Sequence, residues 1–166
     1  MRNTMDDKPP YDITVTEPDN AASIADWPPI DAAALRAAVA AALRRHGTRR
    51  ACIGLAVVDD REIARLNRTH LNHEGPTDVI TFDMRDNAEA DDIEGEIVVS
   101  AQTAMRQATA RGHGVAAELS LYAVHGVLHL LGYDDHGDEQ ADRMHKVEDE
   151  VLTSIGFGAV YGVTRR

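Results

Sequence analysis

The sequence predicts an α+β domain in which helices pack on a layer of four strands. Three observations lead there. Strand and helix signals follow one another in the order β-α-β-α-β-β-α-α-α, so three helices come after the last strand and the regular alternation of an α/β fold is broken. The length of 166 residues suits one domain with short tails. A hydrophobic fraction of 43% with only 4% aromatic residues gives enough Leu, Val, Ile and Ala for a core and excludes disorder of the whole chain.

Residues 1–10 are polar, carry Pro9-Pro10 and read as a tail. Tyr11 to Thr16 alternates apolar and polar positions as a strand does and ends at the turn signal Glu17-Pro18-Asp19-Asn20. Asp31 offers an N-cap for a helix over Ala32 to His46, with apolar positions at 35, 39 and 43 and a stop at Gly47. Ala51 to Val58 is a second strand, in which Cys52 is expected to be buried as a small hydrophobe. Asp59 starts a short helix that turns Ile63 and Leu66 inward. The turn Gly75-Pro76-Thr77-Asp78 leads into strand Val79 to Phe82, and an acidic loop from Asp86 to Glu94 precedes strand Gly95 to Ser100. Ser100 can cap a helix to about Arg111, a further helix runs from about Ala116 to Leu131, and Asp138 caps a last one to about Ser154. The domain is thus expected over 11–156, with a second tail at 157–166.

A single cysteine excludes an internal disulfide framework. No basic segment followed by an apolar run opens the chain, and no stretch approaches the ~20 apolar residues of a membrane span, so the expected address is the cytoplasm with no membrane partner. The net charge of −11 argues against binding nucleic acid through the overall field. Distribution matters more: Asp31 to Arg68 holds eight Arg against four acids.

The chemistry is concentrated in His125-Gly126-Val127-Leu128-His129-Leu130-Leu131-Gly132-Tyr133-Asp134-Asp135-His136. Two histidines four apart on a helix stand about 40° apart around its axis, so both imidazoles can face one ion. Gly132 lets the chain leave through a left-handed turn and brings a later residue back over that face. Two His and a third N or O donor leave one zinc position open to water, as in catalytic sites. The third ligand is Asp135 or His136. In the zinc-peptidase pattern H-E-x-x-H-x-x-G-x-x-H the third ligand falls three residues after the Gly, which favours Asp135; His136 is the better donor by type. Gly126 stands where that pattern has its general base, which leaves Asp134 as the nearest base or as a residue that orients a ligand imidazole.

The run from His125 to Asp134 resembles the signature H-G-x-L-H-L-x-G-Y-D-H of the YbeY-type endoribonucleases. Two further family blocks resemble Leu66-Asn67 with Thr77-Asp78-Val79-Ile80-Thr81-Phe82, and Gly95-Glu96-Ile97-Val98-Val99, in the same order. The resemblance covers roughly residues 11–156. It implies a mixed, mostly parallel four-stranded sheet beneath a zincin-like metal helix, and one Zn²⁺. It also implies a single-strand-specific endoribonuclease that matures the 3′ end of small-subunit (16S) ribosomal RNA and serves ribosome quality control. Its partners would be single-stranded RNA and the small ribosomal subunit or its proteins. Two positions depart from the family: its third His aligns without a gap on Asp135, and its cleft arginine aligns on Leu71, with Arg68 one helical turn away. The alternatives are a metalloprotease, and a nonenzymatic ribosome-assembly factor with a structural metal.

Overall fold

The computed structural model describes residues 9–87, 90–158 and 160. Residues 1–8 of the expected first tail, and 159 and 161–166 of the second, lie outside the described residues. The elements are β1 (Tyr11–Thr16), α1 (Ala32–Arg45), β2 (Ala51–Val58), α2 (Asp60–Leu71), β3 (Val79–Asp83), β4 (Ile93–Ser100), α3 (Ala101–Arg111), α4 (Val115–Leu130) and α5 (Asp138–Ser154), with one 3-10 turn at Ala21–Ser23. The order of strands and α-helices is the expected one. The main boundary difference is β4, which starts at Ile93 because Ile93 and Glu94 continue the ladder opposite Ala51 and Cys52.

The sheet has the order β1-β2-β4-β3. β1, β2 and β4 run parallel, and β3 pairs antiparallel on the β4 edge. This is the mixed, mostly parallel sheet that the resemblance implies. Ile53, Leu55 and Val57 of β2 and Ile97 and Val99 of β4 point to the main core, which α1, α4 and α5 close. The opposite face gathers Ile63, Ile80 and Val98 beneath α2. Alternation corrects one expectation: Cys52 lies between two inward residues and is exposed, because a strand sends successive side chains to opposite faces.

Every residue of α4 from Ala117 to Val124 is buried, as are Gly126, Val127, Leu128 and Leu130. A helix so covered has to sit inside the molecule. Side chains such as Leu121 and Leu128, each at 1% exposure or less, contribute about 1.5–3 kcal/mol apiece on burial. The helix meets the sheet at Gly126, where an added Cβ would lie 2.7 Å from Ile97 Cγ2. Its one buried charge, Glu118, is matched by Arg111 at 3.0 Å and by His113. Beyond α5, Phe157 packs on the core and Val160 is buried within it, so the core reaches into the stretch read as a tail.

A candidate metal centre at the end of helix α4

The last two turns of α4 carry His125 and His129, whose Nε2 atoms lie 3.0 Å apart. Each Nδ1 is already committed. His125 Nδ1 donates to Glu148 Oε1 at 2.7 Å, and His129 Nδ1 donates to the Tyr133 carbonyl at 3.1 Å. In the neutral rings both Nε2 atoms therefore present lone pairs to one another, which repel unless a proton or a cation stands between them. Burial pulls the His125 imidazolium down, but the Glu148 hydrogen bond and charge, assisted by Asp78 and Asp135, hold it above the usual histidine range.

The turn after α4 sets the third donor. Gly132, at φ 95°, donates to the His129 carbonyl, and Tyr133 N–H donates to the Leu128 carbonyl at 2.9 Å. These two bonds form the Schellman closure that a glycine in the left-handed region permits. Tyr133 then holds the turn in place: its hydroxyl donates to His46 Nε2 at 2.7 Å while His46 Nδ1 donates to the Ala42 carbonyl at 2.9 Å. One short loop therefore orients His129 through the Tyr133 carbonyl and is itself tied to α1.

Asp134 folds back within this loop and accepts from the His136 backbone N–H at 3.0 Å and from the His136 ring. Those contacts lower the Asp134 carboxyl and raise the His136 imidazole. His136 is 89% exposed and belongs to a second, solvent-exposed group with Asp134 and Asp135. Asp135 takes the other direction. Its Oδ2 lies 3.6 Å from His125 Nε2 and 3.8 Å from His129 Nε2, so the structure brings together His125, His129 and Asp135 and leaves His136 and Asp134 outside that group.

The donors open on a cleft of about 460 Å³ lined also by Leu71, Thr77, Asp78, Thr81 and Asp83. No Lys or Arg stands among the described lining residues. Leu71, at the family's arginine position, is 48% exposed. Arg68 lies 3.9 Å from Glu74, and Arg85 is spent on Asp83 and on the Leu130 carbonyl.

Sequence reasoning missed Glu148. It is fully buried on α5, with Oε2 accepting from His145 Nδ1 at 3.1 Å while Oε1 holds His125. The signal was present: Met144, Val147, Val151 and Leu152 form the inward stripe of α5, and Glu148 interrupts it. A carboxylate on the apolar face of a helix needs a partner. His46 and His145 both support this site, the first through Tyr133 and the second through Glu148.

Comparison with known proteins identifies the family. The family model described as "Endoribonuclease YbeY" matches residues 23–156. An endoribonuclease YbeY of Pelotomaculum thermopropionicum is 42% identical over 110 residues, covering 63% of this chain and 72% of its own. That of Carboxydothermus hydrogenoformans is 36% identical over 120 residues, covering 72% and 82%. That of Chloroflexus aurantiacus is 38% identical over 136 residues, covering 76% and 88%. The solution structure of TM1509 from Thermotoga maritima shares the fold, with a TM-score of 0.56 at 21% identity over 86% of this chain and 90% of that one. With the signature run, the sheet order and the family match in agreement, the chain belongs to the YbeY endoribonuclease family.

Proposed function

We propose that this endoribonuclease cleaves single-stranded RNA with one zinc ion held by His125, His129 and Asp135, and that its substrate is the 3′ end of small-subunit (16S) ribosomal RNA during maturation and quality control. The observation that carries the metal is the pair of Nε2 atoms at 3.0 Å with both Nδ1 atoms engaged elsewhere. Two imidazoles and one carboxylate oxygen are a zinc donor set that leaves a position open. The cleft supports it as well. Asp78 and Asp135 face a space with no described Lys or Arg among its lining residues, and a phosphodiester entering there needs a cation to offset them.

When bound, the ion supplies Lewis-acid polarisation of a phosphate oxygen and lowers the pKa of a coordinated water. The protein's own groups prepare that site. Glu148 fixes the His125 tautomer and raises its basicity, and the Tyr133 carbonyl does the same for His129. Asp135 adds the negative charge that a neutral histidine in its place would lack. Asp134 shapes the loop through its bond to the His136 backbone and takes no part in the donor group.

The peptidase alternative loses its base. Gly126 offers no carboxylate and sits buried against Ile97, where an added Cβ would lie 2.7 Å from Ile97 Cγ2, so a glutamate there would have to displace the packing. A cytoplasmic address and a ribosomal protein as docking partner complete the proposal, the second supported by the acidic net charge, which suits a basic surface. The test uses a labelled single-stranded RNA carrying the small-subunit 3′ extension, the same RNA in a duplex, and a DNA of the same sequence. Cleavage of the single strand alone, abolished by chelator and restored by zinc, is the expected result. Casein digestion without RNA cleavage would reverse the assignment, and unchanged RNA-linked function in a folded His129→Ala variant would reduce the metal to a staple.

A further inference from the structure

The site contains donors for a metal, but most of the groups around them are already engaged or turned away and are not free to receive a proton from the attacking group. Gly126 has no side chain, and Asp134 is turned outward onto His136. Asp135 points its Oδ2 at both imidazoles. Asp83 uses both carboxylate oxygens on Arg85, with Nε donating at 2.9 Å to Oδ1 and Nη2 at 2.6 Å to Oδ2. One carboxylate of the cleft remains, that of Asp78.

Asp78 is exposed at the entry to β3, on the wall that faces α4 across the cleft. Its backbone and one oxygen are fixed: the carbonyl accepts from Ser100 N–H at 3.0 Å, and Oδ1 accepts from Val79 N–H at 2.8 Å and from the Thr77 hydroxyl at 3.3 Å. The second oxygen, Oδ2, has no partner among the described residues. The carboxylate is thus held by one oxygen, and its residue lines the cleft. It stands close enough for its charge to act on His125, but it is not among the donor atoms that cluster within 4.8 Å of one another. That placement suits a group working beside the metal better than a fourth ligand.

The geometry points to Asp78 as the general base of the RNA cleavage proposed above, on which this inference rests. In that step the attacking hydroxyl, of water or of the neighbouring ribose, forms its bond to phosphorus and passes its proton to Asp78 Oδ2. The bond from phosphorus to the departing ribose oxygen breaks, and that oxygen takes a proton from solvent. Asp135, Asp83, His125, His129 and Tyr122 are the other titratable groups around this position. Asp83 has both oxygens on Arg85, Asp135, His125 and His129 form the donor group, and burial keeps the Tyr122 phenol protonated, whereas Asp78 engages one oxygen only.

Asp78→Asn keeps the Oδ1 acceptor for Val79 and removes the base. With the zinc-loaded full chain and a single-stranded RNA, kcat should fall by roughly 10²–10⁴, the usual contribution of a positioned base. The acidic limb of the kcat–pH profile should flatten, while Asp78→Glu restores part of the rate. Zinc affinity, and the KM for the RNA, should stay within about twofold of wild type. A kcat within threefold of wild type with an unchanged pH profile would overturn the assignment. A tenfold loss of zinc affinity would also overturn it, by making Asp78 a ligand. A wild-type protein that cleaves neither RNA nor the activated diester bis(4-nitrophenyl) phosphate would remove both this inference and the RNA reading. Cleavage of the diester alone, with the same Asp78→Asn loss, would remove only the RNA reading.

Discussion

Replacing Glu148 by glutamine removes one negative charge from beneath the metal centre while keeping its shape. Glu148 is fully buried, 2.7 Å from His125 Nδ1 and 3.1 Å from His145 Nδ1. A hydrogen bond to a charged acceptor contributes about 1.5–3 kcal/mol and a neutral one about 0.5–1.5 kcal/mol. The His125 bond alone should therefore weaken by roughly 1.4 kcal/mol, which is about a tenfold loss in zinc affinity. The glutamine amide also offers a donor face, so part of the population can flip it toward His125 and turn the ring's Nε2 into a proton carrier. The total loss should then fall between about 10-fold and 100-fold, the range seen for partners of metal-ligating histidines. Competition titration against a chromophoric chelator measures it directly. Thermal unfolding run in parallel should show the zinc-loaded Tm falling by more than the metal-free Tm. Zinc affinity within twofold of wild type would refute the reasoning and leave Glu148 as a structural carboxylate only.

Three further outcomes follow from other parts of the molecule. Gly126→Ala drives a Cβ to within 2.7 Å of Ile97 Cγ2 and should cost about 1–3 kcal/mol in urea unfolding of the metal-free protein; no cost would mean that α4 can ride farther from the sheet. Tyr133→Phe removes the 2.7 Å bond to His46 and should lower stability by about 0.5–1.5 kcal/mol, with a further drop in zinc affinity because the same loop carries Asp135; an unchanged affinity would show that the loop holds its shape without α1. Burial raises the Asp60 carboxyl, but hydrogen bonds from Arg106, Ser100 and Thr103 more than offset this and leave it below its ordinary value of 3.8. A depressed carboxyl contributes stability that is complete above about pH 3.8 and is lost as pH falls through the lower folded value. Tm measured below pH 4 should therefore fall more steeply in wild type than in Asp60→Asn, and parallel curves would contradict this.

The architecture was legible because its elements carry strong local signals. Asp31, Asp59 and Ser100 are N-caps with side-chain acceptors in place, and the period-two and helical patterns give every strand and α-helix. The last helix shows the limit of local signals: its N-cap is Gly137, which has no side chain to cap with, one residue ahead of the expected Asp138. In the site, His125, His129 and the turn at Gly132 were readable because they are local in sequence. Register favoured Asp135 over His136, but His136 stayed open because the course of the loop depends on where Tyr133 anchors it against α1, and His46 lies 87 residues away. Glu148 was hidden for the same reason, since its meaning comes from α5 crossing beneath α4. The exposure of Cys52 depended on which face of β2 meets α1, and an apolar run conceals that phase.

The central claim is that one zinc ion is held by His125, His129 and Asp135. Metal analysis of the purified wild type and of His125→Ala, Asp135→Ala and His136→Ala, each loaded with zinc and desalted, tests it most directly. One equivalent is expected in wild type and in His136→Ala, with zinc lost from His125→Ala and Asp135→Ala. Full occupancy in His125→Ala, or loss in His136→Ala with retention in Asp135→Ala, would contradict it.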